Sequence, residues 1–334
     1  VSRRLILTRV AAASILALGL SGCTAANDAA DPAADAAASG SFPVTIEHAF
    51  GETTIDSQPA RVVAWGWGSA DDAIALGVIP VAIPFQSYGG DENGVLPWIA
   101  EALTGEKMPV VLPDTQEPPY EDIAAAAPDV ILAAYSGITE QEYDLLSKIA
   151  PVVAYPGEAW ATPWRDLIEI TGTALGKTDE ASALLTSIDT EIADQAAAHP
   201  EFAGKTIALT SDSAGSFYVY KKHDPRVDFT LDLGFVSAPA VDELATDEAS
   251  FYYTLSYEQL DQLGSDLLVN FGSTQEESDA FLAASYAQAM PQVQAGTVAS
   301  PVGAAFITSV SPPTGLSLSW GLEDYVALLA AAVK

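Results

Sequence analysis

Among its 334 residues the chain has a single cysteine. No internal disulfide can form, so the fold must be held by apolar cores and not by cross-links. Basic residues are scarce as well. Thirteen lysines and arginines stand against 45 acids, a formal charge of −32. A surface of that sign argues against nucleic acid and against direct adhesion to anionic lipid. The acids are spread along the chain, the pattern of a solvated face and not of an acidic tail. His48, His199 and His223 stand alone, without the His, Cys or carboxylate spacing of a metal site. They also give a Ser/His/Asp arrangement little to build on. No Gly-x-Ser-x-Gly elbow occurs. Gly66 and Gly68 follow an apolar run, but Asp71 fills the place of the third glycine of a dinucleotide fingerprint, and that reading fails.

Long apolar runs are missing too. Val10 to Leu20 is too short to span a bilayer, and Arg3, Arg4 and Arg9 precede it. Leu20-Ser21-Gly22-Cys23 then resembles a bacterial lipobox, which implies cleavage before Cys23 and a diacylglyceryl thioether on its sulfur. Residues 1–22 are expected to be a signal peptide. Residues 23–41, largely Ala, Asp, Ser and Gly, are expected to be a disordered tether on the outer side of the cell membrane.

Thr178 to His199 contains neither Gly nor Pro, and Pro200 ends the stretch. Thr178 is expected as N-cap, with Asp179 and Glu180 in the first turn where the helix dipole favours acids. Ala181, Leu184, Leu185, Ile188 and Ile192 form one apolar stripe at helical spacing. Blocks 42–177 and 200–334 are nearly equal, so the helix is expected to bridge two lobes with a cleft between them. A repeat supports this. Tyr120-Glu121 leads to Asp129 and an apolar strand, then Gly137 and Thr139. Tyr257-Glu258 leads in the same way to Asp266, Gly272 and Thr274. Each Asp follows its Glu by eight residues, and the copies are 137 positions apart.

In the first block short apolar runs alternate with helical stretches, which predicts a mostly parallel sheet covered on both faces. Ser69 is expected to cap a helix with Asp72 three residues on. Tyr257–Leu263 is expected to be helical, and Ser319 to cap a last helix over 320–333. Ligands of such sheets sit outside the carboxyl ends of the strands. Those ends carry aromatics next to glycines. For any one aromatic core packing is the commoner fate, but a ligand wall, unlike a core, needs a neighbouring loop that permits close approach.

Ser136-Gly137-Ile138-Thr139 with Ile149-Ala150-Pro151, Phe217-Tyr218-Val219-Tyr220 with Asp224-Pro225-Arg226, and Pro312-Pro313-Thr314 with Ser319-Trp320-Gly321-Leu322 carry a family resemblance. The chain resembles the substrate-binding proteins of ABC importers for ferric siderophores, cobalamin and haem, the siderophore branch most. The resemblance implies an α/β fold of two three-layer lobes with mostly parallel sheets joined by one backbone helix. It implies a monomer that binds its ligand between the lobes, has no catalytic residues and keeps no resident cofactor or metal. It also implies that one surface glutamate per lobe, here Glu121 and Glu258, meets arginines of the ABC permease, which works with its ATPase.

A ferric catecholate is strongly anionic, and arginine beyond the leader is limited to Arg61, Arg165 and Arg226. A trishydroxamate complex is neutral or cationic and suits aromatic walls with one or two donors. The expected walls are Trp65, Trp67, Tyr88, Tyr135 and Trp164 in the first lobe, with Tyr218, Tyr220 and Phe271 opposite. Arg226 is either the donor to ligand oxygens or part of a loop ion pair. Cobalamin or haem remains the alternative within the class, and a lipid-anchored surface hydrolase the alternative outside it.

Overall fold

The computed structural model describes residues 40–245 and 251–334. The leader, Cys23 and the tether up to residue 39 lie outside the described residues. The first lobe opens with a hairpin of β1 (Val44–His48) and β2 (Gly51–Ile55), whose turn ends on Gly51 at φ 123°. Five parallel strands follow: β3 (Val62–Ala64), β4 (Ala82–Ile83), β5 (Val110–Val111), β6 (Val130–Ala133) and β7 (Val152–Ala154). They lie in the order β5-β4-β3-β6-β7. The chain therefore winds outward from β3 first one way and then the other. Strands β3, β6 and β7 are buried along their whole length, as runs of Val, Ile, Leu and Ala covered on both faces should be.

Helices α1 (Ser69–Ala75), α2 (Pro97–Ala102), α3 (Tyr120–Ala125), α4 (Glu140–Leu146) and α5 (Trp164–Leu175) connect or follow these strands. Thr139 and Glu142 close α4 with a reciprocal capping box, and Gly176 stops α5 in the left-handed region at φ 66°. Ser69 does not cap α1. It is the first helical residue, and the cap position is Gly68 at φ 74°. A Cβ on Gly68 would come within 2.9 Å of Thr314 Cγ2, so the close approach of the other lobe requires glycine there.

Helix α6 (Thr178–Ala198) has 21 residues, about 32 Å of rise. Its buried residues are Ala181, Leu185, Ile188 and Ile192. Thr178 is its first residue and not its cap. Ala181 N–H already bonds Lys177 O at 2.8 Å, so the helix starts one position early. Its apolar stripe joins Trp164 and Ile168 of α5 to Phe202, Ile207, Phe229 and Tyr325 in one continuous core.

The second lobe holds β8 (Thr206–Ser213), β9 (Ser216–Tyr220), α7 (Pro225–Asp232), β10 (Val236–Ser237), α8 (Pro239–Glu243), β11 (Tyr252–Leu255), β12 (Leu267–Phe271), α9 (Gln275–Ala283), α10 (Pro291–Ala295), β13 (Val298–Ala299), α11 (Ala304–Val310) and α12 (Ser317–Ala332). The sheet order is β11-β9-β8-β12-β13, with β10 beside the first residues of β8. Strands β8, β10, β12 and β13 are parallel, while β9 and β11 form an antiparallel edge. No strand pairing joins the two sheets among the described residues. Residues 257–263 form a short 3-10 turn, Tyr257–Gln262, started by Ser256, and not an α-helix. The last helix begins at Ser317, where Thr314 and Ser317 exchange side-chain-to-backbone bonds; Ser319 instead donates to Glu191 on α6 at 2.8 Å.

The repeat has a physical meaning. Asp129, just before β6, accepts the N–H groups of Ala60 and Arg61 at 2.7 and 2.9 Å. Asp266, just before β12, accepts Thr206 N–H and Oγ–H at 2.8 and 2.9 Å. In both lobes the repeated Asp fastens the entry of the first strand of the parallel sheet, β3 or β8, to that of its neighbour, β6 or β12.

Beneath the cleft the lobes also touch directly. Asp71 accepts bonds from Trp98 Nε1 and from Thr314 Oγ1, and Asp72 accepts Gly315 N–H at 2.8 Å. Burial pushes Asp71 up to about 6 against the pull of those hydrogen bonds, and burial also raises Asp72 well above the usual carboxylate range. A carboxyl raised in the folded state holds its proton more tightly there than in the unfolded chain. Its stabilising protonation is complete below about pH 4 and is lost as pH climbs through about 6. Asp71→Asn keeps the acceptor oxygen and removes the charge. Relative to the native chain it should therefore be more stable by up to about 3 kcal/mol at pH 8, the gap closing by pH 4. Denaturant titrations of both proteins across that range check this; a gap that does not change with pH would refute it.

Candidate functional site

The switch of winding direction in the first lobe lies between β3 and β6, and a crevice opens at the carboxyl ends of strands at such a point. Trp65 and Trp67 follow β3, Phe85 and Tyr88 follow β4, and Ser136-Gly137 follow β6. Trp65, Trp67, Phe85 and Gly137 line a cavity of ≈ 320 Å³ together with Trp160. A larger cavity of ≈ 480 Å³ is walled by Tyr218, Tyr220, Tyr252 and Phe271 of the second lobe and by Tyr88 of the first. The loop after β4 serves both, Ser87 facing the smaller and Tyr88 the larger. Tyr88 reaches across the cleft, its hydroxyl 3.2 Å from Ser273 Oγ.

The second-lobe wall follows from strand alternation. Tyr218 and Tyr220 stand two apart on β9, so both side chains leave the same face, while Phe217 and Val219 enter the core. Tyr252 on β11 is registered opposite Tyr220 and extends that face. Arg226 sits in the first turn of α7. Its guanidinium carbon is 3.9 Å from the Tyr220 ring centroid and 6.0 Å from that of Phe271, and its Nε donates to Asp224 Oδ1 at 2.7 Å. Asp224 is fully buried and also caps α7 through Arg226 N–H. The expected ion pair of Arg226 is present, and it leaves the guanidinium on the cavity wall. Burial raises the Tyr220 phenol, in spite of the nearby arginine.

Trp65, Trp67, Tyr88, Tyr218, Tyr220, Arg226 and Phe271 all line one of the two cavities. Trp164 does not. It is 1 % exposed within the main core, with Arg165 lying over its ring, and cannot be a wall. Tyr135 stands behind the wall. It is buried, its ring meets Trp160 edge-on at 5.8 Å, and burial followed by the charge of Asp224 pushes its phenol up to about 12. Trp160 takes the place expected of Tyr135: at φ 61° and 46 % exposed, its indole packs against Gly137, where a Cβ would be 2.2 Å from Nε1. Tyr252, Asp212 and Glu277 were also missed. The alternation of Phe251-Tyr252-Tyr253-Thr254-Leu255 was a strand signal for the first.

Glu121 and Glu258 are exposed at the starts of α3 and of the 257–262 turn, one on each lobe. The histidines do not converge. His48 accepts Phe50 N–H and meets Thr53 Oγ1 at 2.9 Å, and His199 pairs with Glu201 at 2.8 Å. No group of three or more His, Cys, Asp or Glu side chains could hold a metal ion among the described residues. No helix among them is long and apolar enough to cross a membrane.

Two α/β lobes with an aromatic cleft between their strand ends define a solute-binding protein. The family model for periplasmic binding proteins matches residues 62–300, and the chain belongs to that family. It is 27 % identical over 180 residues to the probable siderophore-binding lipoprotein YfiY of Bacillus subtilis, 53 % of this chain and 52 % of that one. It is 34 % identical over 128 residues to the achromobactin-binding periplasmic protein of Dickeya dadantii, 38 % of each. The matches thus span about half or less of these curated relatives. The iron-uptake substrate-binding protein PiaA of Streptococcus pneumoniae, solved with ferrichrome, is 34 % identical with a TM-score of 0.78, over 86 % of this chain and 98 % of that one.

Proposed function

We propose that the protein captures a ferric siderophore of the trishydroxamate type in the cleft and delivers it to an ABC permease and its ATPase. The carrying observation is the character of the larger cavity: tyrosines and Phe271 around one arginine whose charge Asp224 already offsets. Such a site offers stacking and a few directed donors to a chelate that brings its own iron ligands. It does not offer the several cations that a triply anionic catecholate needs. The ferrichrome-bound pneumococcal structure, a trishydroxamate complex, supports the same reading. The tetrad ending in Cys23 and the lipoprotein relative support anchoring through that sulfur, facing outside the cell.

Fluorescence titration tests the ligand class. Trp65, Trp67 and Trp160 line one cavity, so a bound ferric chelate should quench them strongly. Ferrioxamine B is expected to quench and ferric enterobactin to leave the emission unchanged at equal concentration. The opposite pattern, or a hemin spectrum with a tyrosinate–iron band, would overturn the assignment.

A further inference from the structure

The charges lining the larger cavity do not balance. Arg226 and Asp224 offset each other through the bond at 2.7 Å. Among the described residues the carboxylates on the lining are Asp212 and Glu277, and no lysine or second arginine accompanies them there. Asp212, at the end of β8, is held in place by two phenols: Tyr257 and Tyr286 donate to its two oxygens, each at 2.7 Å. Burial, then the bond to Asp212, pushes Tyr286 up to about 12, and Tyr257 is raised in the same way, so both remain donors. Glu277, in the first turn of α9, accepts Ser273 N–H at 2.8 Å, which keeps its carboxylate beside the residue that Tyr88 touches. The smaller cavity has the same sign: Glu142 lines it, again without a lysine or arginine among the described residues.

Resting on the hydroxamate reading above, we propose that Asp212 and Glu277 select among ferric trishydroxamates by charge, and that the preferred cargo carries a protonated amine outside its iron-binding oxygens. Two fixed carboxylates facing one mobile ammonium attract it over a few ångströms in a partly desolvated cleft, while a neutral complex of the same shape gains only the aromatic contacts.

The test compares ferrioxamine B, which has a pendent ammonium, with its N-acetylated derivative, which has the same chelate and no charge. At low ionic strength the cationic complex should bind about tenfold more tightly, the ratio narrowing as salt shortens the screening length to roughly 8 Å. In the Asp212→Asn, Glu277→Gln double variant the two complexes should bind alike. Asparagine keeps an acceptor for the phenols. Glu277→Gln alone, at an exposed side chain, should remove part of the preference even if the Asp212 change disturbs folding. Equal affinities in the native protein, or a preference that survives both variants, would overturn the proposal. If neither complex binds, the hydroxamate reading itself falls and takes this proposal with it.

Discussion

Replacing both Glu121 and Glu258 by alanine should abolish import while leaving ligand affinity unchanged. Each is exposed, and each follows the tyrosine that starts the first turn of the repeated unit. The sequence of the unit recurs in both lobes, as an α-helix in the first and a 3-10 turn in the second, down to the Asp eight residues on, which fastens the entry of β3 or of β8. An acid at a helix start is favoured by the dipole, but by less than about 1 kcal/mol, so folding alone does not require it. Two carboxylates at repeat-related positions, one on each lobe, instead fit a receptor built as a symmetric pair. Neither glutamate lines the larger or the smaller cavity. The double variant should therefore match the native chain in stability within about 0.5 kcal/mol and in affinity for ferrioxamine B. Uptake of the labelled complex by iron-starved cells, measured beside the affinity of the purified protein, checks both halves. Each single variant should lose part of the flux. Native import in the double variant would remove the docking role.

The features legible in the sequence are those fixed by local chemistry. Thr139 with Glu142 and Gly176 after Leu175 mark helix ends because their backbone bonds are short-range. The alternation of apolar runs with helices gives the parallel first sheet for the same reason. The misplaced cap of α1 was decided by a distant part of the chain. Gly68 adopts φ 74° to admit Thr314, 246 positions away, which moves Ser69 into the helix. The misassigned Trp164 did carry its own warning. It begins the series Trp164, Leu167, Ile168, Thr171, Leu175, the buried stripe of α5, so helical periodicity already placed it in the core. Asp212 and Glu277 carried no such mark, because two acids among 45 are distinguished only by what the fold brings beside them.

Asp224→Ala should be the most damaging substitution at the cleft, costing about 3 kcal/mol and most of the ligand affinity. The side chain has two tasks. It caps α7 through Arg226 N–H at 2.9 Å, worth about 1 kcal/mol, and it receives Arg226 Nε at 2.7 Å. Removing one partner of a buried pair costs about 3–5 kcal/mol. The lower end applies here, because the Arg226 side chain is 17 % exposed and can turn toward solvent. That turn takes the guanidinium off Tyr220 and out of the cavity wall. Asp224→Asn keeps the cap and should cost less, while Arg226→Met strands a fully buried carboxylate. The double variant Asp224→Asn, Arg226→Met removes the pair as a unit, and such replacements are often neutral in stability. Denaturant midpoints and ferrioxamine B affinities for all four proteins separate the two roles. Stability that recovers in the double variant while affinity stays low assigns Arg226 to holding the ligand. Recovery of both would leave the pair as a helix-start device alone, with the aromatic walls sufficient for binding.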